Sequence, residues 1–245
     1  MVAEKCKAEP STSTGNATLP RHLYHGTTTK HLASILRSGL RPRGRRKGNW
    51  ERFHSRSDMV YLTTAYAPFF AINSLDEGEK GVIVEIDTTL LDPSSLYPDE
   101  DFIAQALAHQ MQLPLEYLHK RVRRTLRNYR HHTADSLQAL GNAAHKGDIP
   151  VKAITRYAEI DGKLQSSLFW IALDPCISLL NYRFMGQKYR SIIAWIMGDR
   201  EDFDADGFGN QSLVTQVNPD YVNHLRSMWA NRDGIAVTQM GVSNE

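Results

Sequence analysis

Three short stretches of this chain carry residue types from which a reaction centre can be built. In Leu23-Tyr24-His25-Gly26-Thr27-Thr28 an apolar run stops at a His-Gly pair and then enters a helical pattern, which puts one imidazole at a strand end, where ligands are usually met. In Met59-Val60-Tyr61-Leu62-Thr63 a tyrosine lies in a second β-rich run that leads into a helix. The third stretch is Gly141-Asn142, at the head of a later run towards Ile149-Pro150. Taken singly, each has a bland reading: a hydrogen-bonded structural histidine, a core tyrosine, a turn asparagine. Their order and local contexts make a set that can hold and orient a polar ligand.

Around them lie two basic clusters. Arg41-Pro42-Arg43-Gly44-Arg45-Arg46-Lys47 has no apolar period and reads as a loop, which fits either a solvated surface or a lid over a phosphate. Arg121, Arg123, Arg124, Arg127 and Arg130 fall on the polar side of a helix whose other side carries Leu115, Leu118, Val122, Leu126 and Tyr129. Because 29 basic and 27 acidic residues leave a net charge of only +2, such clusters are local features rather than part of a global field. They suit a phosphate backbone, with Arg43, Arg46, Lys47, Arg121, Arg124 and Arg127 as contacts and Trp50 and Phe53 able to stack on a base. An arginine-rich face also suits an acidic protein partner, such as an antitoxin or inhibitor.

Several chemistries are excluded. No Gly-x-Gly-x-x-Gly, phosphate loop or His-Glu-x-x-His occurs, and no serine sits in a nucleophile elbow. His131 and His132 are adjacent and cannot easily share one ion, and ten scattered histidines without cysteine partners support no metal site. Asp199 to Gly207 lacks the alternation and closing glutamate of a calcium loop. Cys6 and Cys176, far apart in sequence, argue against a disulfide framework. With a polar N-terminus and no run near the ~18 apolar residues of a membrane span, the expectation is a cytoplasmic protein with no membrane contact.

The elements that must position these residues follow from periodicity. Residues 1–19 read as a disordered tail, 20–160 as the core and 161–245 as an extension packed on it. Thr27 or Thr28 is expected to cap a helix with Leu32, Ile35 and Leu36 on one face, ended by a left-handed Gly39. Further helices are expected from Ala65 to Asn73, from Asp99 to Pro114, and onward to a close at residues 131–135. Strands are expected at Gly81 to Asp87, which is apolar enough to be central, after Gly141, over Val151 to Ile160 and at Leu168 to Leu173, with a mixed segment from Ile177 to Met197. A helical turn after Pro150 is an alternative start for the third of these regions.

His25-Gly26-Thr27, Ser38-Gly39-Leu40, Val60-Tyr61-Leu62-Thr63 and the strand after Gly141 together resemble the ADP-ribosyltransferase superfamily of the diphtheria-toxin and poly-ADP-ribose polymerase type. The resemblance spans about residues 20 to 160. Within the superfamily the chain looks closest to DarT-type nucleic-acid ADP-ribosyltransferases and to RNA 2′-phosphotransferases. It implies an α+β domain with a split β-sheet core, NAD as substrate and transfer of ADP-ribose to a DNA or RNA base, as in a toxin or phage-defence effector.

By the same resemblance His25 would hydrogen-bond a ribose hydroxyl, the Gly26 backbone would hold the carboxamide and Tyr61 would stack on the nicotinamide. Thr27, Arg45 and Arg56 join them towards NAD. Cleavage builds positive charge on the ribose carbon, so catalysis is largely positioning and charge stabilisation. DarT-type proteins place a glutamate where counting back from Ile149-Pro150 reaches Asn142. An amide cannot act as a general base, although it can fix a 2′-hydroxyl. Gln138 and Asp135 are the substitutes if the register differs. The competing readings are an RNA 2′-phosphotransferase, a non-catalytic NAD- or nucleic-acid-binding module, and a protein-directed ADP-ribosyltransferase.

Overall fold

A computed structural model describes residues 19–44, 55–160, 193–199 and 235–240. Seven strands form one antiparallel sheet: β1 (His22–Thr28), β2 (Met59–Thr63), β3 (Gly81–Asp87), β4 (Leu96–Pro98), β5 (Asn142–Lys146), β6 (Ile154–Ile160) and β7 (Ile235–Gln239). Their spatial order is β4-β5-β2-β1-β3-β6-β7. Five helices accompany them: α1 (Thr29–Ser38), α2 (Ala67–Ile72), α3 (Glu100–Met111), α4 (Leu115–Thr125) and α5 (Thr133–Ala139). The fold class is therefore α+β. No helix among the described residues is long and apolar enough to cross a membrane.

The apolar run Gly81–Asp87 becomes β3, buried at every position and flanked by β1 and β6. Two acids, Glu85 and Asp87, are buried with it. Glu85, 2% exposed, accepts from Arg156 Nε at 2.9 Å and Nη2 at 2.7 Å and from the Thr155 hydroxyl at 2.6 Å. Arg156 also donates to Asp199 and to the Met197 carbonyl, which ties residues 193–199 to this half of the sheet. Ile193, Trp195, Ile196 and Met197 pack there against α2, Ile83 and Ile160.

Pairing is uneven across the sheet. Seven residue pairs join β1 to β3 and five join β2 to β5, whereas β1 and β2 share only Tyr24↔Thr63. The sheet is therefore two ladders touching at one pair. Two cores lie against the sheet, and the first is shared by both ladders. Leu23, Leu32, Ile35, Val60, Leu62, Val84 and Ile86 fill the space under α1, while Met59, Tyr97, Ile103, Leu118, Val122 and Leu126 fill that under α3 and α4.

Two glycines are required by close approach. A Cβ on Gly26 would lie 2.1 Å from the Ala67 carbonyl oxygen, so only glycine lets the end of β1 touch α2. A Cβ on Gly39 would lie 2.0 Å from the Ile149 carbonyl oxygen, where Leu40 and Ile149 exchange backbone bonds of 3.0 and 2.8 Å. Gly39 ends α1 as expected in sign, at φ 76°, but its ψ of −177° is extended rather than helical. Thr28 occupies the N-cap position of α1 with no side-chain capping bond. The N-cap of α2, Tyr66, likewise has no side-chain capping bond, but the turn that leads into α2 is tied by Thr63. The Thr63 hydroxyl accepts the N–H groups of Ala65 and Tyr66 at 3.1 and 3.0 Å and donates to the Gly141 carbonyl at 3.0 Å.

The structure revises the helical stretch after Pro114. α4 stops at Thr125, whose hydroxyl donates back to the Arg121 carbonyl at 3.1 Å, and Leu126–His132 continue as a tighter 3₁₀ run. Residues 131–135 do not close the helix; α5 begins at Thr133 and was not anticipated, nor were β4 and β7. The turn after Pro150 and the following strand both form, as a 3₁₀ turn at Val151–Ala153 and then β6. The expected strand at Leu168 to Leu173, the segment from Ile177 up to 192 and the N-terminal tail to 18 lie outside the described residues.

Ser136 of α5, fully buried, joins two elements that position the site. Its hydroxyl accepts the Asp99 N–H at 3.0 Å and donates to the Asn142 carbonyl at 2.8 Å. Ser136→Ala strands both backbone groups and should cost about 2 kcal/mol, read as a lower urea midpoint. An unchanged midpoint would show that this tether is dispensable.

Candidate functional site

Beyond Tyr24↔Thr63, β1 and β2 diverge, and a side chain takes the place of the next ladder bond. His25 Nδ1 lies 2.9 Å from the carbonyl oxygen of Tyr61. A carbonyl only accepts, so the proton sits on Nδ1 and the neutral ring keeps Nε2 as an acceptor. Burial pushes the His25 pKa below the ordinary histidine value; the Tyr61 carbonyl opposes the shift and His31 adds to it. His25 is accordingly a neutral, oriented imidazole at the mouth of the split.

The Tyr61 side chain lies on the face covered by α3 and α4, packed against Met59, Tyr97 and Ile103. Its hydroxyl donates to the Glu100 carboxylate and accepts the Arg56 backbone N–H at 2.7 Å. That N–H is also 3.2 Å from the same Glu100 oxygen. Glu100 opens α3 and is 2% exposed, and its second oxygen has no partner among the described residues. Burial raises its pKa, against the hydrogen bonds from Tyr61 and from backbone N–H groups. Burial and the adjacent Glu100 likewise raise the Tyr61 pKa, so the phenol stays protonated.

Asp99, the N-cap of α3, accepts the Asp101 N–H at 2.8 Å and a hydrogen bond from the Asn142 side chain. Its pKa is raised well above the ordinary range, first by burial and then by the neighbouring Asp101 and Glu100. Asn142 is buried, shares with Tyr61 the sheet face of β2 and β5, and keeps its Oδ1 without a partner among the described residues. Tyr61, Glu100, Asp99, Asn142 and the Arg56 N–H thus form one polar cluster. It contains two buried oxygens without a partner among the described residues, Asn142 Oδ1 and Glu100 Oε2, and two carboxyls of raised proton affinity, Asp99 and Glu100.

The expected site residues divide accordingly. His25, Tyr61, Asn142 and the Arg56 backbone come together, and Gly26 and Thr27 continue β1 along the gap. The Arg56 guanidinium is turned away, holding Asp58 through Nε at 2.9 Å and Nη2 at 2.7 Å and donating to the Arg123 carbonyl. Arg43 points inward and donates to the Ser55 carbonyl at 2.8 Å. Arg121, Arg124 and Arg127 are exposed. Arg45, Arg46, Lys47, Trp50 and Phe53 lie outside the described residues. Gln138 and Asp135 are exposed on α5, with Asp135 bonded to His132 at 2.7 Å, so neither is the carboxylate of this cluster.

Glu100 went unrecognised because Asp99-Glu100-Asp101 reads as a helix start, with a cap and acidic first turn. The available signal was three consecutive acids directly after the apolar Leu96-Tyr97-Pro98, more charge than a cap needs.

No family description matches the chain, and no curated protein matches it. Among solved structures the chain is similar to EcPltA, with 12% identity over 60% of this chain and 79% of that chain and a TM-score of 0.37. A likeness this distant carries no argument about activity.

The raised Glu100 pKa has a testable consequence. A carboxyl whose pKa rises on folding stabilises the fold below its unfolded pKa of about 4.3 and loses that contribution as pH climbs through the folded value. Glu100→Gln keeps an acceptor for Tyr61 and Arg56 but cannot ionise. Its unfolding free energy relative to the parent should therefore increase between about pH 4 and about pH 8. Urea unfolding at both pH values measures this, and a constant difference would mean that Glu100 titrates normally.

Proposed function

We propose that this chain is an NAD-dependent mono-ADP-ribosyltransferase whose acceptor is a nucleic acid. The observation that carries the reading is the parting of β1 and β2 around one oriented neutral histidine, with Tyr61 linked to a buried carboxylate beside it. The fit to a dinucleotide rests on the ring nitrogen of His25 not engaged by Tyr61 and on two buried oxygens without a partner among the described residues, Oδ1 of Asn142 and Oε2 of Glu100.

NAD supplies an ADP-ribosyl group whose bond to nicotinamide breaks with the electron pair leaving on nicotinamide. His25 accepts a ribose hydroxyl through Nε2, and the bond of Nδ1 to Tyr61 prevents the ring from turning. The β1 backbone at Gly26 faces the gap and holds the carboxamide, with Tyr61 forming a wall. Asn142, its amide engaged by Asp99, offers Oδ1 to a second hydroxyl. Glu100 replaces the carboxylate that Asn142 lacks. Its raised proton affinity suits it to take the acceptor's proton as the new bond to ribose forms.

Incubation of the full chain with NAD labelled in its adenylate half and with single-stranded DNA or RNA tests the proposal. Nicotinamide release and label in the nucleic acid are expected, both abolished by His25→Ala and reduced about 100-fold by Glu100→Gln with NAD binding retained. No nicotinamide release with any acceptor would overturn the enzyme reading. Label appearing only in protein would redirect the acceptor, and an ADP-ribose cyclic phosphate would mark a 2′-phosphotransferase.

A further inference from the structure

On the outer side of Arg56 lies a cavity of about 300 Å³ that the chemistry above does not use, lined by Arg56, Ser57, Asp58, Lys120, Arg123 and Arg124. It brings four cations and one acid together. Asp58 is already matched, held by both ends of the Arg56 fork at 2.9 and 2.7 Å. Arg123 reaches only the Ser55 carbonyl, at 3.3 Å, and its buried Nε has no partner among the described residues. Lys120 and Arg124 are exposed and form no ion pair among the described residues. Among the described residues, three positive charges therefore converge without an acid paired to them. A buried guanidinium nitrogen left unpaired is costly unless a ligand completes it.

We infer that this cavity binds a backbone phosphate of a nucleic-acid strand and so holds the strand beside Tyr61 and Glu100. The arrangement favours a strand over an isolated phosphate because the charge does not stop at the rim. Exposed Arg121, Arg124 and Arg127 carry it along α4 and the following 3₁₀ run for roughly 10 Å, at 1.5–2 Å per residue. A single phosphate needs no such row. Arg56 links the cavity to the polar cluster directly, its guanidinium lining one and its backbone N–H bonded to Tyr61 and Glu100 in the other. This inference rests on the proposed acceptor class but not on catalysis, because binding is measured without NAD.

The test is fluorescence anisotropy of a labelled single-stranded oligonucleotide with the full chain across a salt series, for the parent, Lys120→Glu, Arg124→Glu and the control Arg37→Glu on α1. Circular dichroism confirms that each variant folds. Both cavity variants should bind about tenfold more weakly at fixed salt with a shallower salt slope, the control being unchanged. Equal weakening by the control, or no weakening by either cavity variant, overturns the inference. So does loss of NAD affinity in the cavity variants with oligonucleotide binding intact, which would assign the cavity to the dinucleotide's diphosphate. Charge-dependent strand binding without ADP-ribose transfer would leave this inference standing and remove the enzyme reading. Transfer that both cavity variants retain in full would do the reverse.

Discussion

The arrangement depends on the place where the β1–β2 ladder ends. An antiparallel pair normally continues until a turn or bulge stops it, because each unpaired backbone group left in a buried place is costly. Here pairing stops after Tyr24↔Thr63, and the His25 ring donates to the Tyr61 carbonyl in place of the next backbone bond. That substitution satisfies the carbonyl where the strands no longer pair. It also fixes the tautomer, so the same bond that opens the cleft prepares the nitrogen facing it.

Holding two ladders apart requires each to be stable without the other. The β1-β3-β6-β7 half does so through the fully buried β3 and the Glu85–Arg156 pair, which reaches on to Asp199. The β4-β5-β2 half does so through α3 and α4, whose contact includes His119 Nε2 at 3.0 Å from Asp101. The two halves meet in the core under α1, where Leu23, Val84 and Ile86 pack with Val60 and Leu62, and again through α2. Gly26 lets β1 touch it, and Thr63 caps the turn that leads into it. At α2 the positions that shape the cleft are thus a close backbone contact and a side-chain-tied turn rather than large apolar residues.

Legibility from sequence follows the same division. α1 was readable because Leu32 and Ile35 sit at helical spacing and β3 because it is an unbroken apolar run, and His25 and Tyr61 because they end or interrupt short apolar runs. β4 is three residues long and β7 is half-exposed, so neither carries a periodic signal of its own. α5 was hidden because Thr133-Ala134-Asp135 follows α4 with no breaker, and the break at Thr125 is made by a side-chain bond that periodicity cannot register. Glu100 escaped for a different reason. Its partners Tyr61 and Arg56 are 39 and 44 residues away, and only the register of β2 against β5 and the packing of α3 bring them together.

Electrostatics then explains why two buried acids and a cationic cavity are neighbours. Asp99 and Glu100 sit at the N-terminus of α3, where the helix dipole and free N–H groups favour anions, yet burial still raises both pKa values. Had the Arg56 guanidinium turned inward, it would have formed an ion pair with Glu100 and held the carboxyl ionised and weakly basic. Instead only the Arg56 N–H reaches Glu100, and its charge is drawn outward by Asp58 and the Arg123 carbonyl. One residue thereby separates two environments that would neutralise each other in contact: a proton-accepting carboxyl beside Tyr61 and an uncompensated positive cavity. A ligand that is anionic at one point and carries a transferable proton at another would satisfy both, as the proposed nucleic-acid strand would at a nucleotide whose base or sugar bears a free N–H or O–H.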